Sequence, residues 1–238
     1  MGLTIHWKLQ SQARSPTLAR EQVSQLRQRA LDLPFASVGE VVEFTGDAAD
    51  FDRCVEDAPQ RWLLIQAGQH VERGGRYFRV KPEHVIAFET FPGDGSEVAN
   101  FGLCLYPKHI TDKQGQRHST GLTGWRWSSF CKTQYASNPE CGGVENFLRC
   151  HLSVVAMLDH AKSLGLLGDV SDEGGFWEHR DMEVLAREVG EWNQMIAAFA
   201  GQLKDQLGPQ IELQSAIGEF PNFEHLEAKG AEKLRRRR

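Results

Sequence analysis

Long hydrophobic runs are absent from this 238-residue chain: no stretch of apolar residues approaches the roughly 18 that a membrane-spanning helix needs. We therefore expect no membrane association. The first six residues, Met1 to His6, also lack a basic region followed by an apolar stretch. Because a secretory leader needs both features, we expect none here.

A surplus of positive charge is absent as well. The 27 Lys and Arg residues are outnumbered by 32 Asp and Glu residues, which gives a net charge of −5. A nucleic-acid-binding protein usually shows the opposite balance, so we expect no nucleic-acid partner. The one basic run, Arg235 to Arg238, closes the chain. We interpret residues 231–238 as a disordered basic tail, because like charges repel one another.

The cysteines do not fall into pairs. They number five, and no C-x-x-C spacing occurs. Unpaired thiols are typical of a reducing compartment, so we expect a cytoplasmic protein. Cys141, Cys150 and His151 do not have the spacing of a compact zinc module. The acidic residues near Asp172 do not have the spacing of a calcium-binding loop. We therefore predict no metal and no other cofactor.

The pattern that is present predicts an α+β fold. Leu3, Ile5, Trp7 and Leu9 alternate with polar residues, as in a strand with one buried face. Ser15-Pro16 then begins a helix, and a second strand follows at 38–44, which together make a β-α-β unit. Further strands are predicted at 62–67, 77–80, 85–91, 98–106, 125–135 and 166–170, with a short helix at 47–57. Long helices are predicted at 144–164 and 181–207.

These elements predict an N-terminal β-α-β unit, a mainly antiparallel central sheet, and two long C-terminal helices packed on one sheet face. Gly93-Asp94-Gly95 lies between two predicted strands, so we interpret it as a hairpin turn, since a phosphate-binding loop would be followed by a helix. We predict a single domain over residues 1–230. A boundary near residue 46 or at 108–120 is the alternative.

Alternation divides the central strands into two faces. One carries the apolar side chains and is the predicted core face. The other carries small residues. The polar residues that flank them are Glu89, Asn100, Tyr106, Arg126, Lys132 and Gln134. Such a surface can line a ligand site, with Asp172, Glu173 and Trp177 contributed by the loop before the last helix. The alternative is a plain solvated face of an antiparallel sheet.

Two classes of function follow from these residues. The first is a binding or interaction protein, whose partner is a small ligand or another protein. Arg126 is suited to a carboxylate or phosphate and Lys132 supplies a point charge, so the small ligand would be anionic or zwitterionic. The second is a hydrolase or transferase in which Cys131 or Cys104 is the nucleophile and His151 the base. Against this second class, Cys131 lies on the predicted core face with the tryptophans, where an inert thiol is expected.

Overall fold

The computed structural model describes residues 3–53, 61–207 and 217–236. The strands are β1 (Thr4–Ser11), β2 (Ser37–Val38), β3 (Val42–Thr45), β4 (Gln69–Arg73), β5 (Arg76–Val80), β6 (His84–Phe88), β7 (Thr90–Phe91), β8 (Phe101–Leu105), β9 (His109–Thr111), β10 (Arg117–Ser119), β11 (Trp125–Lys132) and β12 (Leu167–Asp172). The helices are α1 (Pro16–Leu31), α2 (Arg61–Ala67), α3 (Gly143–Ser163), α4 (Phe176–His179), α5 (Met182–Leu207) and α6 (Phe223–Arg236). Short 3-10 turns occupy Gly46–Ala49, Phe51–Arg53, Gln134–Ser137 and Pro139–Cys141.

A six-stranded sheet with the order β12-β1-β11-β8-β6-β3 forms the centre of the fold. Each pair of neighbours in it is antiparallel. Strands β1 and β3 lie four positions apart and therefore run in the same direction, with α1 between them in the chain. The predicted α+β class and the antiparallel sheet are confirmed.

Helix α1 begins where the sequence predicted. The Ser15 side chain accepts a hydrogen bond from the backbone N–H of Leu18, and Pro16 occupies the first helical turn. Its inner stripe is buried and consists of Ala19, Val23, Leu26 and Ala30. This stripe belongs to the same core cluster as Val154 and Leu158 of α3 and the apolar side of the sheet. Helices α1 and α3 thus cover one sheet face.

The register confirms the predicted core face. Ile86 lies opposite Leu103, and Phe88 lies opposite Phe101. Leu105 in turn lies opposite Trp125. Residues that oppose each other in an antiparallel pair point to the same side of the sheet, so these side chains form one continuous apolar layer.

The strand predicted at 62–67 is wrong, because these residues form helix α2. Its buried residues are Leu63, Leu64 and Ala67, a spacing that places them on one side of a helix. The Tyr106 hydroxyl donates to the carbonyl of Ala67 at 2.6 Å and anchors the end of the helix. Tyr106 lies on the predicted polar face, so α2 covers part of that face. The short helix predicted at 47–57 corresponds to the two 3-10 turns that end at Arg53, and its last residues lie outside the described part of the chain.

The two long helices occur where they were predicted, as α3 and α5. Helix α5 packs against α3 through Leu185 and Val189, and its later part forms a hairpin with α6. The disorder predicted from residue 231 is wrong as far as Arg236, because these residues continue α6. Gly230 allows α6 to pack closely on α5, because it lies so near the backbone of Gln194 that a side chain would not fit. Residues 237 and 238 lie outside the described part of the chain.

The single domain stays a prediction. The central sheet supports it, because that sheet contains strands from both sides of residue 46 and from both sides of the segment 108–120.

Within the described residues, no helix combines the length and hydrophobicity needed to cross a membrane.

Candidate functional site

The second face of the sheet is only partly covered. Helix α2 contacts β6 and β11 and buries the residues around Gly102 and Cys104. Beyond it, toward the edge of the sheet formed by β12 and β1, an open cavity of about 510 Å³ lies against the strands. That volume falls within the usual range for small-molecule sites.

Four parts of the chain line this cavity. They are His6, Trp7 and Lys8 of β1; Ser128, Ser129 and Phe130 of β11; Asp169, Val170 and Ser171 of β12; and Ile65, Gln66, Gly68 and Gln69 from α2 and the residues after it. Ile65 and Phe130 provide apolar surface, and most of the rest provide hydrogen-bonding groups.

A local break in strand pairing shapes the inner wall. Strands β8 and β11 pair only at Trp125–Leu105 and Arg126–Cys104. Past this point the indole N–H of Trp127 donates to the carbonyl of Asn100 at 2.8 Å. The side-chain oxygen of Gln66 accepts from the amide of Asn100 at 2.9 Å and from the hydroxyl of Ser129 at 3.4 Å. Gln66 therefore joins α2 to both strands at the cavity.

The side chain of Trp7 lies behind this site, on the core face of the sheet. Its side chain is stacked on Phe101, with ring centroids 5.1 Å apart, and the residue is only 2% exposed. Its indole N–H is buried and has no hydrogen-bond partner among the described residues. Buried polar groups are nearly always hydrogen-bonded, and leaving one unsatisfied costs about 1–3 kcal/mol. Trp7 is in register with Ser129 and Val170 and lies on the side of the sheet that carries Phe101, so this unsatisfied group belongs to the core and not to the groove.

The rim of the cavity carries charged and aromatic side chains. Lys8 and Asp169 form an ion pair at 3.1 Å, with side chains 56% and 79% exposed. An ion pair this exposed is weakly held, so either partner can be taken by a ligand. Phe130 is 44% exposed, and the ring of His6 lies 5.8 Å from it.

The cavity continues along β1 and β11 into a second one of about 280 Å³. Lys8, Gln69, Ser128 and Asp169 line both. The continuation reaches Arg126, whose Nε donates to the carbonyl of Thr123 at 3.0 Å. We call the two cavities together the groove.

Of the residues predicted for a site, the structure places Arg126 in the groove. Lys132 and Gln134 follow Phe130 in the chain but line neither cavity. Lys132 donates to the hydroxyl of Tyr135 at 2.9 Å and lies over its ring. Gln134 is fully buried, where it accepts from the backbone N–H of Leu3 and donates to Asn193. Its role there is to tie β1 to α5.

Glu89, Asn100 and Tyr106 share the second face with Arg126 but are separated from the open groove. Asn100 and Tyr106 are buried, in contact with Gln66 and Ala67 of α2. Burial raises the pKa of the Tyr106 phenol well above its ordinary value. Burial likewise raises the pKa of Glu89.

Asp172, Glu173 and Trp177 do not reach the groove either. Asp172 is buried and accepts from the backbone N–H groups of Gly174 and Trp177, both at 2.9 Å. Glu173 accepts from the backbone N–H of Thr4 at 3.0 Å. The ring of Trp177 lies 4.5 Å from the guanidinium of Arg180. These contacts hold the loop between β12 and α5 against the sheet edge.

Cys131, Cys104 and His151 are all fully buried. Burial raises the pKa of both thiols far above the ordinary value, and the Cys131 thiol donates to the carbonyl of Glu97 at 3.2 Å. His151 uses both ring nitrogens for other partners: Nδ1 lies 2.9 Å from the Thr133 hydroxyl and Nε2 lies 3.1 Å from the Asp172 carboxylate. The described contacts do not pair His151 with either thiol.

Several groove residues were not predicted. His6 and Lys8 alternate with the apolar residues of β1, so their polar side was visible in the sequence. Their relation to Phe130 and Asp169 was not visible, because it depends on β1 lying between β11 and β12. Gln66 was missed because its segment was predicted as a strand.

Among the described residues, no group of three or more His, Cys, Asp or Glu side chains is arranged to hold a metal ion. No protein-family model, curated protein or solved structure matches this chain. The groove is therefore the feature of the molecule that indicates a function.

Proposed function

We propose that this protein binds a small anionic or zwitterionic ligand in the groove. The observation that carries the proposal is the cavity of about 510 Å³, because it joins the apolar surface of Ile65 and Phe130 to a weakly held lysine. Ligand sites commonly have this composition, in which apolar walls supply contact area and a few polar groups set the orientation.

The charges of the groove favour an anion. Lys8 and Arg126 carry positive charge and Asp169 carries the opposing negative charge. A carboxylate or phosphate can bind Lys8 in place of Asp169, and a zwitterion can use both members of the pair. Arg126 gives the continuation of the groove a second cation, with the planar geometry that suits oxyanions.

A Cys- and His-dependent hydrolase or transferase has less support. A nucleophilic cysteine needs a depressed thiol pKa and access to substrate. Cys131 and Cys104 have raised pKa values and are buried, and His151 is committed to Thr133 and Asp172. We expect both thiols to react slowly with iodoacetamide at neutral pH in the folded protein. Rapid alkylation of either thiol would favour a Cys- and His-dependent enzyme over a binding protein. Buried free thiols also agree with a cytoplasmic location, which we propose on that ground.

The binding proposal is tested by a thermal-shift screen with a panel of small carboxylates and phosphates. We expect a rise in melting temperature with some members, because a ligand that binds only the folded state stabilises it. Lys8→Gln and Arg126→Gln should reduce the rise. Lys113→Gln is the matched control, since Lys113 is an exposed lysine that lines neither cavity. If no compound raises the melting temperature, the proposal of a small ligand is wrong, and a protein partner is the remaining candidate.

A further inference from the structure

The floor of the groove consists of three rows of side chains, one for each pair of residues that β1 and β11 bring opposite each other on the second face. The rows are His6–Phe130, Lys8–Ser128 and Gln10–Arg126. Alternate residues of a strand lie about 7 Å apart, so the three rows extend over about 14 Å. Three chemically different surfaces therefore follow one another along the groove.

The first row offers an aromatic surface, and we call it the aromatic row. Phe130 is 44% exposed, and its ring centroid lies 5.8 Å from that of His6 with a tilt of 35° between the planes. Ile65 of α2 lines the same cavity. Nucleobases stack on aromatic side chains, and such stacking accepts any base because every base has a π-face. The aromatic row is therefore suited to a nucleobase.

The second row is flanked by a carboxylate. Asp169 of β12 lies 3.1 Å from Lys8, and both side chains are more than half exposed. A carboxylate has more than one acceptor site and an ammonium has more than one donor, so their mutual contact leaves capacity on both groups. Carboxylates accept hydrogen bonds from ribose hydroxyl groups in dinucleotide-binding folds. Asp169 is therefore suited to a ribose placed over the second row.

Positive charge lies on the side of the second row away from the aromatic row. Arg126 uses Nε for the carbonyl of Thr123, and its terminal nitrogens have no hydrogen-bond partner among the described residues. A guanidinium binds phosphate through two parallel N–H donors, and a lysine adds a point charge. Because β1 lies between β12 and β11, a phosphate held by Lys8 and Arg126 is also on the side of Lys8 away from Asp169.

We infer that the groove binds a nucleoside 5′-monophosphate, with its base on the aromatic row, its ribose hydroxyls at Asp169 and its phosphate between Lys8 and Arg126. The order of the rows supports this, because a nucleotide presents base, ribose and phosphate in the same order. The inference rests on the function proposed above and adds the class of ligand.

The charges favour a free nucleotide over a single-stranded nucleic acid. A nucleic acid needs a basic groove that follows several phosphates. Among the described residues, Lys8 and Arg126 are the Lys and Arg side chains that line the groove. On the far side of Phe130, Lys132 lies over the ring of Tyr135 and donates to its hydroxyl. The net charge of −5 also disfavours a polyanion.

Isothermal titration calorimetry with AMP, GMP, CMP and UMP tests the inference. The nucleotide that binds most tightly is then compared with three relatives: its nucleoside lacks the phosphate, ribose 5-phosphate lacks the base, and the 2′,3′-dideoxynucleotide lacks the ribose hydroxyls. We expect each relative to bind at least about tenfold more weakly, because each loses one set of contacts.

Three variants assign the contacts. Arg126→Gln should remove the preference for the nucleotide over its nucleoside. Phe130→Leu should remove the preference over ribose 5-phosphate, and Asp169→Ala the preference over the dideoxynucleotide. All three positions are on the surface, so we expect the variants to fold. Phe199→Leu is the matched control, because Phe199 is 60% exposed and lines neither cavity.

The outcomes separate the inference from the proposed function. If none of the four nucleotides binds, or if ribose 5-phosphate binds equally well, the nucleotide is wrong, while a carboxylate that raises the melting temperature would keep the proposed function. Equal binding of the dideoxynucleotide would overturn the role of Asp169. Tighter binding of the corresponding hexanucleotide, with a steep dependence on salt, would replace the free nucleotide by a nucleic acid. Failure of the nucleotides together with the whole thermal-shift panel would overturn the proposed function itself.

Discussion

The two faces of the central sheet are built from the same strands but covered to different extents. On the core face, α1 and α3 seal residues such as Phe101 and Ile86, which are fully buried. On the second face, α2 covers the region around Gly102, while Phe130 and Lys8 remain exposed. The groove therefore lies on the part of the second face that α2 does not cover.

The number of covering helices explains why one face closes and the other does not. On the core face, α1 contacts β6 and β8, while α3 contacts β1 and β12. On the second face, α2 contacts β6 and β11. Among the described residues, the part of the second face near β1 and β12 is therefore open to a ligand.

The largest effect should come from the core face. Phe101 stacks on Trp7 and Phe88 and is fully buried. We expect Phe101→Ala to lower the free energy of unfolding by about 3–5 kcal/mol, because it removes a buried ring and leaves a cavity. Urea unfolding measures this change. A loss below about 1 kcal/mol would mean that this layer is not the core.

Two aspartates of β12 sharpen the comparison. Asp172 is buried and bonded to His151, whereas Asp169 is exposed. We expect Asp172→Asn to cost about 1–3 kcal/mol, because it weakens a buried hydrogen-bond network. Asp169→Asn is the matched control and should change stability by no more than about 0.5 kcal/mol. Similar losses in both variants would contradict the difference in burial.

The contact between Asp172 and His151 also predicts that the stability of the protein depends on pH. Burial disfavours the ionised form of Asp172, but the hydrogen bond and charge of His151, with the N–H groups of Trp177 and Gly174, outweigh it and hold the pKa below the ordinary 3.8. The folded pKa is therefore lower than the unfolded one. The stability that Asp172 contributes is fully present above the unfolded pKa and is lost as the pH falls through the folded pKa. The difference between the unaltered protein and Asp172→Asn should shrink below about pH 4, as urea titrations at several pH values would measure.

The docking of α2 gives a smaller effect. The Tyr106 hydroxyl donates to the carbonyl of Ala67 in a buried contact. We expect Tyr106→Phe to cost about 1 kcal/mol, the usual net value of one hydrogen bond. Hydrogen exchange should also become faster in α2 while it stays unchanged in α1. Unchanged exchange in α2 would indicate that this bond does not hold the helix.

The open part of the second face should give the smallest effect on stability. Phe130 is an aromatic residue like Phe101, but it is 44% exposed. We expect Phe130→Ala to change the free energy of unfolding by no more than about 0.5 kcal/mol. Thermal unfolding measures it beside Phe101→Ala. A loss comparable to that of Phe101→Ala would mean that Phe130 belongs to the core and not to a binding surface.

Local patterns were sufficient to predict much of the fold. The alternation of β1 and the cap at Ser15 predicted the first strand and helix, because each depends on neighbours in the chain. The division of the central strands into faces was also correct, since alternation forces it. The run at 62–67 was assigned wrongly, because a short apolar segment has the same composition in a buried strand and in a buried helix.

The candidate site was harder to predict. Arg126 was selected from strand alternation alone, and it does reach the groove. Lys132, on the same strand, does not line it, because that end of β11 lies beside Tyr135. Phe130 was passed over, since an aromatic residue in a strand is ordinarily assigned to packing. Its exposure depends on what the short α2 leaves uncovered.

The sequence by itself determined the local conformations and which residues of each strand share a face, because these depend on periodicity and on capping within a few residues. Tertiary structure alone decided that β1 lies between β11 and β12, and therefore that His6, Lys8, Phe130 and Asp169 surround one cavity. The physical reason is that strand order is set by long-range pairing and helix packing, in which segments more than a hundred residues apart compete for the same neighbours.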